Sequence, residues 1–239
     1  MVDIRERSKQ SELMDNLELS SPLLLKTLDQ ISAINKWLGG KRVTLDGVKI
    51  LIKNHPKEKS LSIVDLGCGR GDMLRDIAKY GRENGYQFIL LGIDANQTTI
   101  DYANSLSKGF EEIEYIKLDV LSEEFSTKKF DIALCTLFLH HFNDATALNF
   151  IQSTLKNVEK GIIINDLHRC RLAYFLFKIL SIFIHNEMVR VDGATSILRS
   201  FTKTDLLRFS EQIKHKSTIK WKWVFRYQWM IKKNDCKNN

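Results

Sequence analysis

Between Ile63 and Ala78 the chain passes from a short apolar run through glycines at every second position into a helical pattern. The run Ile63-Val64-Asp65-Leu66 reads as a buried strand, Gly67, Gly69 and Gly71 as a tight turn, and Asp72, Met73, Leu74, Ile77 and Ala78 as the opening of a helix. Glycines let the main chain take positive φ and let a ligand approach the backbone closely. The helix start behind them presents unpaired N–H groups to an electronegative atom. Strand and helix patterns then alternate from Ser62 to Asn165, which predicts a mainly parallel sheet wound on both faces. Ligands of such sheets lie beyond the carboxyl ends of the strands, where Asp65, Asp94, Asp119, Thr136 and Asp166 all fall.

The spacing narrows the ligand. A dinucleotide fingerprint wants Gly-x-Gly-x-x-Gly, but its third glycine is here Asp72. A carboxylate at that point disfavours a pyrophosphate and favours a cationic ligand. No Gly-Lys-Ser/Thr follows, so a phosphate-cradling loop is excluded. An acid at the end of the first strand suits a ligand that carries an ammonium group.

Asp65-Leu66-Gly67-Cys68-Gly69-Arg70-Gly71 resembles the first motif of class I S-adenosylmethionine-dependent methyltransferases. Leu90-Leu91-Gly92-Ile93-Asp94-Ala95-Asn96 is similar to the second strand and its ribose-binding acid. Tyr115-Ile116-Lys117-Leu118-Asp119-Val120 resembles the third strand and the acid that meets the adenine amino group. Phe130-Asp131-Ile132-Ala133-Leu134-Cys135-Thr136 is similar to the fourth. Leu137-Phe138-Leu139-His140-His141-Phe142 matches the His-bearing loop of enzymes acting on small molecules, such as those of quinone biosynthesis. The resemblance implies a seven-stranded Rossmann-like fold and S-adenosylmethionine as cofactor, with S-adenosylhomocysteine as product. By that likeness Asp65, Gly67, Cys68, Gly69, Gly71 and Met73 hold the methionine part, with Asp72 adding a carboxylate near the sulfonium. Asp94 and Ala95 hold the ribose, Asp119 and Val120 the adenine, and Thr136 and Leu137 complete the cofactor site.

The 239 residues allow one large α/β domain with additions. Residues 1–58 read as an N-terminal helical cap and 59–239 as the methyltransferase domain, with a lid insertion at about 167–200. Within the cap, 8–38 reads as helical with a break at Ser20-Ser21-Pro22, Ser21 capping the second part. Gly39-Gly40 ends it, and Leu45 to Asn54 forms another helix. The polar first 22 residues suggest no signal peptide, and no apolar run has the length of a membrane span. Four cysteines without metal spacing suggest free thiols and a cytoplasmic protein. The formal charge of +7 belongs to residues 214–239, since 28 basic and 28 acidic residues cancel before them. That tail alternates polar and apolar residues at 219–224 and 227–232. It therefore reads as an antiparallel hairpin with one wet face rather than a nucleic-acid surface.

Methyl transfer from a sulfonium is an in-line displacement that chiefly needs alignment and exclusion of water. A hydroxyl acceptor must also lose a proton, for which His is suited. His140, His141 and His168 lie in loops above the strand ends and are the candidate bases. Asp166 could orient His168. A catechol-type metal site on His140, His141 and Asp166 fits the pattern less well, and no metal is expected. The segment Arg171 to Ile184 is apolar nearly all round and could wall an acceptor pocket, pack between monomers of a homodimer, or touch a membrane surface. Ser11-Glu12-Leu13-Met14-Asp15, followed by Asn35-Lys36-Trp37-Leu38-Gly39-Gly40, is similar to the leader of methyltransferases encoded beside polyketide-type biosynthetic enzymes. This adds Met14 and Trp37 to Phe138, His141 and His168 as substrate-facing residues. The expectation is O-methylation of a small hydrophobic, phenolic or polyketide-like acceptor; the alternatives are an RNA methyltransferase and a non-catalytic cofactor-binding protein.

Overall fold

In the computed structural model, which describes residues 2–233, the apolar run before the glycines is strand β1 (Leu61–Leu66), the centre of the sheet. Parallel neighbours flank it: β2 (Phe88–Asp94) on one side and β4 (Phe130–Thr136) on the other. Beyond them lie β3 (Ile113–Lys117) and β5 (Val158–Leu167). The C-terminal hairpin, β6 (Lys216–Lys222) and β7 (Arg226–Lys232), adds β7 antiparallel to β5 and completes the order β3-β2-β1-β4-β5-β7-β6. The expected mainly parallel, seven-stranded architecture is therefore present. The order reverses between β1 and β4, so the ends of those strands open a crevice.

One detail of the hairpin differs from expectation. Strand β6, at the sheet edge, alternates exposure as its sequence suggests, but β7 is buried on both faces except at Lys232. One polar side chain of β7 is met by α2 (Gly40–Ile52): Gln228 Nε2 donates to the Val43 carbonyl at 2.6 Å. Asn165 Nδ2, on β5, likewise donates to the Gly40 carbonyl at 2.8 Å and to Thr44 Oγ1 at 3.0 Å. Helix α2 thus lies on the sheet, where Ile163 packs against Gly47.

The N-terminal segment also departs from expectation. Helix α1 (Pro22–Trp37) forms with Ser21 accepting from Leu24 N, but residues before it hold only a 3-10 turn at Leu13–Asp15. Distant partners claim that backbone instead. Ser8 N donates to the Leu198 carbonyl, and Leu13 N and Met14 N donate to the Asp192 carboxylate at 2.7 and 3.1 Å. Asp192 belongs to α8 (Glu187–Arg199), which with α7 (Arg171–Ser181) forms the insertion after β5. Helices α3 (Asp72–Asn84), α4 (Gln97–Leu106), α5 (Glu123–Thr127) and α6 (Asp144–Asn157) connect the parallel strands. Helix α9 (Lys203–Ile213), capped reciprocally by Thr202 and Asp205, leads into the hairpin. No helix among the described residues is long and apolar enough to cross a membrane.

Candidate active site

The crevice over β1 and β4 is one cavity of about 1120 Å³, reaching from the glycine turn to α7, α8 and the 3-10 turn at residue 13. At one end it is lined by Asp65, Gly67, Cys68, Gly69, Asp72 and Met73, and beside them by Asp94 and Ala95 after β2 and by Asp119 and Val120 after β3. Thr136 and Leu137 close it above β4. Leu137 sits at φ +53°, an unusual conformation for a side chain of its size, held by donation from Leu137 N to the Asn165 carbonyl at 2.8 Å.

Gly71 is the exception to the expected set, since it does not line the cavity. It precedes α3 at φ +73°, and a Cβ there would lie 2.1 Å from the Tyr115 hydroxyl. Its role is to let α3 close onto β3. Asp72 lines the cavity, and its carboxylate also meets Lys41 Nζ at 2.9 Å and Ser32 Oγ at 3.0 Å.

The acids that remain have the character of an incomplete site. Asp65 is buried, its Oδ1 has no hydrogen-bond partner, and its pKa is pushed well up by burial and then by the charges of Asp72 and Asp94. Asp94 accepts from Gly69 N at 3.1 Å and Asn96 N at 3.0 Å, but burial still raises its pKa above the usual carboxylate value. A ligand bringing an ammonium and hydroxyl donors would complete both. The same burial, with Asp94 and Asp65 nearby, keeps the Cys68 thiol protonated.

The three candidate histidines line the same cavity. His140 is buried, and Nδ1 donates to Asp166 Oδ1 at 2.7 Å while Nε2 faces Glu12 Oε1 at 3.5 Å. Burial opposes charge on the ring, but Asp166 and Glu12 outweigh it and raise its pKa to about 10. His140 is therefore a structural cation at neutral pH, which corrects its expected role as a base. Asp166 accordingly orients His140 and not His168. His141, half-buried, stacks on His140 at 4.4 Å between centroids and donates from Nδ1 to Asp15 Oδ1 at 2.6 Å. Asp15 is held ionised, because His141 and Arg199 together overcome its burial. Phe138, edge-on to Phe142, backs the His141 ring at 6.0 Å. His168 lines the cavity against Tyr227, and burial, then Arg169, lower its pKa, so it is neutral.

Met14 and Trp37 both line the cavity, Trp37 as a largely exposed residue. The apolar insertion supplies Leu172, Ala173, Leu176, Phe177 and Leu180 to the same wall. Glu12 and Asp15 fall in the leader stretch that bears the resemblance but were given no role there, and Arg199 was not singled out, since nothing local joins residue 15 to residues 141 and 199. Glu12, His140 and His141 bring potential metal-ligand atoms within 4.8 Å of one another. The two imidazoles, however, stack with planes 29° apart. Their lone pairs then run side by side rather than converge, a poor arrangement for one metal ion.

A parallel sheet of this order, with a Gly-x-Gly-x-Gly turn at the β1 end and an acid after each of the next two strands, defines a class I methyltransferase fold. Residues 63–161 match the family described as "Methyltransferase domain". A relative 30% identical over 118 residues is the uncharacterized protein MJ0638 of Methanocaldococcus jannaschii. That match takes in 49% of this chain and 46% of the relative, so it spans about half the length of the curated protein. Among solved structures, the plantazolicin methyltransferase BpumL in complex with S-adenosylhomocysteine is similar at a TM-score of 0.65 and 18% identity, over 89% of this chain and 91% of that one. Magnesium protoporphyrin IX methyltransferase from Synechocystis PCC 6803, also with S-adenosylhomocysteine bound, gives 0.56 and 13% identity over 90% and 89%.

Proposed function

We propose that this chain is an S-adenosylmethionine-dependent methyltransferase acting on oxygen of a small, largely apolar acceptor. The observation that carries the reading is that one cavity holds all the parts: Asp65, Asp94 and Asp119 line it together with the paired Asp15 and His141 and with apolar side chains of α7. The volume, about 1120 Å³, exceeds the roughly 300–1,000 Å³ typical of one small-molecule site, which supports two ligands side by side. The names of the structural neighbours, methyltransferases of plantazolicin and of magnesium protoporphyrin IX, support an acceptor that is not a nucleic acid.

Bound at the acid-lined end, S-adenosylmethionine would supply a methyl group on a cationic sulfur. Asp65 would receive the ammonium, Asp94 the ribose hydroxyls, and Asp119 the adenine. His141 donates through Nδ1 to Asp15, which leaves Nε2 as its basic atom. From there it would take the hydroxyl proton of the acceptor as the oxygen attacks, and Asp15 would stabilise the resulting imidazolium. Phe138 and α7 exclude water from the transfer. The test is transfer of labelled methyl groups to lipophilic phenols by the purified protein. Label in phenols, lost in His141→Ala, supports the reading; label in tRNA or rRNA but not in phenols contradicts it.

A further inference from the structure

Arg226, at the start of β7, is 2% exposed and lines the cavity. Its Nε and Nη1 have no hydrogen-bond partner, and it forms no ion pair among the described residues. The other buried guanidiniums are matched: Arg169 meets Asp205, and Arg199 meets Asp15. Burial pulls the Arg226 pKa down to about 10, with Asp166 opposing, so the side chain is still a cation at neutral pH. Asp166 is itself committed to His140. An unmatched buried charge is costly unless something completes it.

The surroundings fit a missing anion. Asn35, buried and lining the same cavity, has an unpartnered amide oxygen; an amide flip would present its N–H₂ from that place. His168 has an unpartnered Nδ1. The absence of a side chain at Gly40 leaves room for both Asn35 and Arg226: a Cβ there would lie 1.8 Å from Asn35 Oδ1 and 2.7 Å from Arg226 Cζ. Leu172, Leu176, Phe177 and Leu180 add apolar side chains to the lining of the same cavity.

We propose that Arg226, assisted by Asn35, is an anion-recognition site within the acceptor half of the cavity, and that the acceptor is an amphipathic acid whose carboxylate meets the guanidinium fork. A planar fork of N–H groups matches a carboxylate in two parallel bonds, which alcohols and amines do not reproduce. This deepens the proposed methyl transfer and rests on it for the purpose of the site, but binding tests it separately.

Decanoate and decanol share a tail and differ in the head, so they serve as probes. Calorimetry on the full chain, with S-adenosylhomocysteine titrated first, measures both. The expected result is decanoate at least about 10-fold tighter than decanol, a preference that Arg226→Met abolishes and Arg226→Lys retains in part, with homocysteine-product affinity and melting temperature of Arg226→Met at or above the wild-type values. Equal affinity for the two probes, no decanoate binding at millimolar concentration, or undiminished preference in Arg226→Met overturns the proposal. A lower melting temperature in Arg226→Met with probe preference intact makes the residue structural and overturns it too. Failure of S-adenosylhomocysteine to bind would instead strike the methyltransferase reading.

Discussion

His140 and His141 stack on each other yet differ in their partners: His140 faces two buried carboxylates, Glu12 and Asp166, and His141 a single carboxylate shared with Arg199. Replacing His140 by Gln leaves Glu12 and Asp166 buried without their cation and is expected to cost about 3–5 kcal/mol of stability. The pH dependence has a definite sign. The folded pKa, about 10, lies above the ordinary 6.5, so the ring's charge stabilises the fold fully below pH 6.5 and ceases to do so as pH rises through about 10. Denaturant unfolding of wild type and His140→Gln should therefore converge between pH 6.5 and 10, and a constant gap would contradict the assignment. His141→Ala should leave stability and cofactor affinity near wild type while lowering turnover by roughly 10²–10⁴-fold; unchanged turnover would remove the general base. Both histidines were visible as candidates in the sequence. Their different partners were not, because the carboxylates at positions 12 and 15 come from over a hundred residues away.

At the level of elements, periodicity sufficed where burial follows from a local pattern and failed where distant groups capture the backbone. The strand–turn–helix at 61–84 and the capped start at Ser21 formed as their sequences suggested, and the hairpin formed too, though with β7 buried on both faces. The stretch before α1 did not become a helix, because Asp192, Leu198 and Arg199 bind it in extended form. Arg7 carries much of this clamp, donating to the carbonyls of Arg199, His140 and Phe142 and to Asp144. Arg7→Ala is expected to lower stability by roughly 1.5–3 kcal/mol in chemical denaturation, and no measurable loss would show the segment to be dispensable. Gly71→Ala combines a left-handed backbone with a clash at Tyr115 and should destabilise by about 1–3 kcal/mol; wild-type melting would refute the close-packing role. In α7, one apolar stripe lines the cavity while Phe175, Ile179 and neighbouring Ile182 and Phe183 face outward. A helix apolar all round in sequence cannot reveal which stripe does which.

For the whole molecule, the cofactor half was more legible than the acceptor half for a physical reason. The glycine turn and the acids after β2 and β3 sit at strand ends whose positions the alternating pattern dictates. The acceptor half is assembled from the N-terminal segment, the insertion and β7, and its buried Arg226 lies in a stretch whose lysines suggested only a wet face. The central claim is that the cavity takes S-adenosylmethionine through Asp65 and Asp94. Calorimetric titration with S-adenosylhomocysteine, on wild type and Asp94→Ala, tests it directly. One-to-one binding to wild type is expected, weakened by roughly 1–3 kcal/mol in the variant; no binding to wild type at millimolar ligand, or equal affinity in both proteins, would overturn the cofactor assignment.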